Sequence, residues 1–81
     1  MEKIWMRVRV TSVQGGQQEF AVVSNPGQYP GLRACAVDSS AYYDWSVFER
    51  GLTSGRAASV EREMTPDCDF WAYEELRQAS K

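Results

Sequence analysis

The chain has 81 residues, 43% of them apolar and 25% charged, with nine basic side chains, eleven acidic ones and no histidine. That length admits one domain, and the balance is that of a folded globular chain rather than a disordered one. The missing histidine excludes the common zinc sites, the Cys–His and Ser–His nucleophile pairs and the usual neutral-pH acid–base group. No apolar run approaches the ~20 residues needed to span a bilayer, so no membrane association is expected.

The first residues run straight into a charged, alternating segment, unlike a signal peptide. Ile4, Met6, Val8 and Val10 alternate with Lys3, Trp5, Arg7, Arg9 and Thr11. This period of two predicts a strand over 3–13 with an apolar inner face and a cationic outer face that includes the Trp5 indole. Gly15-Gly16 suits a tight hairpin turn, and 19–24 reads as the return strand. Asn25 to Gly31, punctuated by Pro26 and Pro30, reads as a loop presenting Tyr29 on a stiff support. Leu32 to Val37 reads as a third strand, and Asp38-Ser39-Ser40 supply helix N-cap candidates.

From Ala41 the period changes. Ala41, Trp45, Phe48 and Leu52 form one helical stripe, with Gly51 placed to end the helix. Residues 56–64 fit a strand or a helix, with a slight lean to strand. Thr65-Pro66 is expected to open a last helix running to about Ala79, buried through Cys68, Trp71/Ala72, Leu76 and Ala79. Asp67 and Asp69 would oppose its positive end, and Glu74 would pair with Arg77. The predicted fold class is α+β, a single domain over 1–81 in the order β-β-β-α-(β or α)-α. A small antiparallel sheet of three or four strands carries two helices packed on one face.

The remaining chemistry points away from catalysis. Cys35 and Cys68 are expected as thiols in the reducing cytoplasm, and two cysteines without histidine cannot complete a four-ligand zinc site. On a helix, Asp67 and Asp69 would point about 200° apart and could not converge on one ion. No glycine pair is followed by the lysine-bearing helix start of a phosphate loop. The expectation is a protein that is not an enzyme and uses no cofactor.

Three surfaces are candidates for binding. The first is the outer face of the first strand, with Trp5, Arg7 and Arg9, a mixture favoured at interfaces and on single-stranded nucleic acid. The second is acidic. Residues 1–37 sum to +2 and residues 38–81 to −4, so the helical part, through Asp44, Glu49, Asp67, Asp69 and Glu74, suits a basic groove. The third is Tyr29 in its loop. Each also reads simply as solvated surface.

The preferred function is a non-enzymatic interaction protein docking on a larger host protein complex. Small size, acidic charge, ten aromatic residues and an arginine-rich, lysine-poor usage typical of GC-rich genomes suit a phage or mobile-element accessory protein. Such a protein would block a nucleic-acid-handling system, as an anti-CRISPR inhibitor does. A nucleic-acid-binding module using the basic sheet face is one alternative. A homodimer or other homo-oligomer burying Trp5 across a two-fold axis is another.

Overall fold

The structure, a computed structural model, describes residues 2–80. Its elements are β1 (Lys3–Ser12), β2 (Gln17–Asn25), β3 (Tyr29–Ala36), β4 (Tyr42–Asp44), α1 (Trp45–Leu52), β5 (Ala57–Met64) and α2 (Phe70–Ala79). The strands form one antiparallel sheet in the order β4-β3-β2-β1-β5. The fold is α+β, but the sheet has five strands rather than three or four, and the element order is β-β-β-β-α-β-α.

The extra strand arises where capping chemistry was expected. Asp38-Ser39-Ser40 do not open a helix. Ser40 takes a left-handed φ of 57° and its amide donates to the Ala36 carbonyl at 2.8 Å, while the Ala36 amide donates to Ala41 at 2.8 Å. The chain therefore turns tightly and returns as β4 beside β3. The β1–β2 hairpin behaves as its glycines predict. Gly15 adopts φ +93° and its amide donates to the Ser12 carbonyl at 2.9 Å, a backbone setting that an L side chain would strain. The Asn25–Gly31 segment is shorter than a loop: Asn25 ends β2, Tyr29 begins β3, and the Gln28 amide closes the turn on the Asn25 carbonyl at 2.9 Å.

Both helices cover one face. Val8, Val22, Leu32, Ala34 and Ala36 line it and are buried beneath Trp45 and Phe48 of α1 and Tyr73 of α2. Small alanines on β3 leave room for the rings above them, which meet at centroid distances such as 5.0 Å for Phe20–Phe48 and 6.4 Å for Trp45–Tyr73. Each fully buried Leu or Val contributes about 1.5–3 kcal/mol. The α1 stripe of Trp45, Phe48 and Leu52 faces this core as its period predicts, with Ala41 packed alongside. Gly51 lies inside the helix, whose end is closed instead by the Thr53 amide on the Arg50 carbonyl.

The last helix begins at Phe70, four residues later than its sequence signals suggest. Thr65 is diverted: its amide and hydroxyl donate to the Trp5 carbonyl at 3.1 and 3.2 Å, extending the β1–β5 ladder. Asp69 becomes the N-cap, accepting from the Trp71 and Ala72 amides at 3.1 and 3.2 Å. At the other end Ser80 ties α2 to the sheet. Its Oγ accepts from the Leu32 amide at 2.8 Å and donates to the Leu76 carbonyl. Gly31 permits this approach, since a Cβ there would lie 2.8 Å from the Ser80 Oγ.

Candidate functional site

The sheet face away from the helices carries the residues expected to form a cationic row, and one of them is missing from it. Ile4 pairs with Val23 and Met6 with Val22, so Trp5 is an extra residue in β1. A bulge of this kind shifts the pleat by one residue and moves the side chain to the other face. Trp5 is 5% exposed, its Nε1 donates to the buried Ser24 Oγ at 2.8 Å, and its ring lies 6.1 Å from that of Tyr73. The expectation that Trp5 stands on the open face is overturned: the ring is packed inside the same chain. Lys3 remains near it, with Nζ 4.0 Å from the ring centroid.

Arg7 and Arg9 do project from the open face and are exposed. They are not alone there. Arg7 lies opposite Glu63, and Arg9 lies between Glu19 and Glu61. Two cations thus stand among three carboxylates, and the face is a ladder of alternating charge rather than a basic patch. The cations a nucleic-acid reader would use therefore share this face with carboxylates.

At the β3–β4 end, Tyr29 and Asp44 come together. The Tyr29 hydroxyl donates to the Asp44 carboxylate at 2.8 Å, and the Tyr42 hydroxyl donates to Glu2 at 2.8 Å. These carboxylate bonds hold both phenols protonated, raising the Tyr29 pKa and pushing that of Tyr42 up to about 12. The Arg33 guanidinium sits between the two rings, 4.9 and 4.7 Å from their centroids, and its buried Nε has no hydrogen-bond partner among the described residues. A cavity of about 110 Å³ lies beside them, over Val23. Tyr29 is therefore a wall of a stacked cluster, not a ring held out on a loop. Glu49 likewise has a structural contact, its Oε1 lying 3.5 Å from Arg62 across the α1–β5 seam.

The start of α2 differs from every other surface. Trp71 is 78% exposed and Phe70 is 55% exposed, the two rings meeting edge to face at 5.7 Å. The predicted burial of Trp71 is thus corrected: Tyr73, with Ala72, Leu76 and Cys68, forms the inner face instead. Asp67 and Asp69 precede the pair in sequence, and Glu74 and Glu75 follow one helical turn later on the same side. Arg77 holds Glu74 through two hydrogen bonds, at 3.1 and 2.9 Å, as the spacing predicts. Residues 66–80 still sum to −3. Between this helix and β5 lies an open groove of about 470 Å³ walled by Met6, Trp45, Met64, Phe70 and Tyr73 and bordered by the Glu49–Arg62 and Glu74–Arg77 ion pairs. Sequence periodicity missed the exposed rings because it set Trp71 on the buried stripe, which the structure fills with Cys68, Ala72, Tyr73 and Leu76. The signal that could have found them is the tandem of large rings itself, since one narrow helix face cannot bury both.

Little else has the makings of a reactive centre. Cys35 and Cys68 are free thiols, and burial pushes the Cys68 pKa up, away from the reactive thiolate. Among the described residues no group of three or more Cys, Asp or Glu side chains is arranged to hold a metal ion. No helix among them is long and apolar enough to cross a membrane. Comparison with protein-family models, curated proteins and solved structures finds no match.

Proposed function

We propose that this is a non-enzymatic interaction protein that docks on a larger protein through the start of α2. One observation carries the reading: two adjacent large rings, Phe70 and Trp71, stand exposed on a helix while Tyr73 alone supplies the large buried ring of the same helix. Exposed aromatic pairs cost a chain solubility and are favoured as anchors in binding sites. The surrounding Asp67, Asp69, Glu74 and Glu75 set the chemistry of the partner, a positively charged surface with an apolar slot.

A groove that otherwise holds nucleic acid has that chemistry. We therefore extend the reading to a phage or mobile-element accessory protein that blocks a host nucleic-acid-handling complex, in the manner of an anti-CRISPR protein. It would act in the cytoplasm, where Cys35 and Cys68 stay reduced.

The test is affinity capture from host lysate with the wild-type chain and with Phe70→Ala/Trp71→Ala, followed by mass spectrometry. The expected result is a protein recovered by the wild type and by Arg7→Ala/Arg9→Ala but lost with the aromatic pair, its recovery falling as salt rises. Recovery independent of Phe70 and Trp71 would overturn the reading. So would a low-salt mobility shift of single-stranded oligonucleotide that depends on Arg7 and Arg9.

A further inference from the structure

β5 is the last strand on its side of the sheet, and its outer edge is bare. The bond from the Thr65 amide to the Trp5 carbonyl, 3.1 Å, sets the alternation of the β1–β5 ladder. Counting back along the register, the backbone groups of Glu63, Glu61 and Ser59 turn toward β1. Those of Met64, Arg62 and Val60 turn outward, and the register shifts beyond Ser59, where Ala58 is an extra residue. No hydrogen bond among the described residues reaches that outward row. At eight residues, β5 is long enough to template another strand, whereas β4 at the opposite edge has only three.

The side chains say which strand would fit. On the open face, charge alternates across the sheet from Glu19 on β2 to Arg9 on β1 to Glu61 on β5, and from Arg7 to Glu63 in the next row. The ladder stops at β5 on two carboxylates, each with a cation on its inner side only. On the helix face, Val60 and Met64 are half-buried, and Met64 borders the groove of about 470 Å³. An added strand would place alternate side chains over the carboxylates and, on the helix face, beside Val60 and Met64 at the edge of the groove.

A second copy of β5 fits less well. Antiparallel self-pairing centred on Glu61 sets that carboxylate against itself. Centred on Arg62, it sets Arg62 against itself and Glu61 against Glu63. Centred on Val60, it leaves Glu61 opposite Ser59 and Glu63 opposite Ala57, so neither carboxylate gains a cation.

We propose that β5 accepts an extended segment of a partner protein as a sixth strand, with Lys or Arg at alternate positions over Glu61 and Glu63 and apolar residues between them facing the groove. This site is the backbone edge, separate from the aromatic pair, and it stands whether or not Trp71 anchors a partner.

Hydrogen exchange followed by NMR on the full chain tests it. The probe is an acetylated, amidated octapeptide alternating lysine and valine, and the control alternates glutamate and valine. At saturation the outward amides of Val60, Arg62 and Met64 should slow at least about tenfold, while Ser59, Glu61 and Glu63, already bonded to β1, should change little. Glu61→Gln/Glu63→Gln should weaken binding about tenfold by removing both charge partners. Val60→Pro, which deletes one outward donor but no inward one, should weaken it with the β1 ladder intact. Trp71→Ala should bind as the wild type does. Unchanged outward amides would overturn the proposal, as would equal binding of the glutamate peptide. So would a dimeric mass with these amides already slow in the absence of peptide, which would make a second copy the occupant.

Discussion

Two indoles near opposite ends of the chain have exchanged roles relative to their sequence patterns. Trp5 sits in a row of exposed cations and is buried; Trp71 sits on an amphipathic helix and is exposed. In each case a single-residue change of phase decides the outcome. The bulge in β1 turns Trp5 inward, where its Nε1 finds Ser24. In α2 the inner face runs through Ala72, Tyr73 and Leu76, continuing from Cys68 just before the helix, which leaves Trp71 outside. The comparison shows that a surface ring is informative only once the phase of its element is fixed. Trp5 is part of what holds the sheet to α2, and Trp71 is free to hold something else.

The largest expected effect breaks the first half of that comparison. Trp5→Ala removes a buried ring that touches Tyr73 and should cost about 3–5 kcal/mol in denaturant unfolding. A loss within ~0.5 kcal/mol would return Trp5 to the surface. Alkaline titration sharpens the same half through Tyr73, whose pKa burial pushes up to about 12. Below pH 10 the phenol is protonated in both folded and unfolded chains, and its contribution is complete. From about pH 10 toward about 12 the unfolded chain ionises first, and stability should fall by roughly 2 kcal/mol on this account. In Tyr73→Phe, unfolding curves across that range should keep only the loss due to the other tyrosines.

Ser24→Ala would strip the buried Trp5 Nε1 of its acceptor and should cost about 1–3 kcal/mol, measured against Trp5→Phe, which lacks that donor. Asp69→Ala removes the α2 cap and should cost about 1 kcal/mol, while Asp67→Ala, with no capping bond, should stay within ~0.5 kcal/mol. The smallest stability change is expected at Trp71. Trp71→Ala should leave the unfolding midpoint within ~0.5 kcal/mol of wild type while abolishing partner capture. A large stability loss there would make the ring structural.

Much of the architecture was legible in residue order. The alternation of β1 from Met6 to Val10, the Gly15-Gly16 hairpin, the α1 stripe and the Glu74–Arg77 pair all rest on neighbours within a few positions, and the structure contains each of them, whereas Ile4, expected inward, is exposed on the far side of the bulge. Of the candidate site residues, Arg7 and Arg9 reach the open face, and Asp67, Asp69 and Glu74 stand around the exposed pair. Tyr29 and Asp44, which lie on different candidate surfaces by sequence, bond each other. The charge of the open face was not legible, because Glu61 and Glu63 come beside Arg9 and Arg7 only when β5 pairs with β1. β4 was hidden too: a three-residue strand is too short to show a period.

What the sequence by itself determined is the set of amphipathic elements and their chain order, since side-chain periodicity is a local property. Which ring goes in and which stays out was left to the tertiary structure. The Trp5 Nε1 bond spans 19 residues to Ser24, and the Thr65 hydroxyl reaches 61 and 60 residues back to the Ile4 and Trp5 carbonyls. Such bonds exist only after the sheet has assembled, and they set where the bulge falls and where α2 begins. Those two offsets placed one indole in the core and the other on the surface.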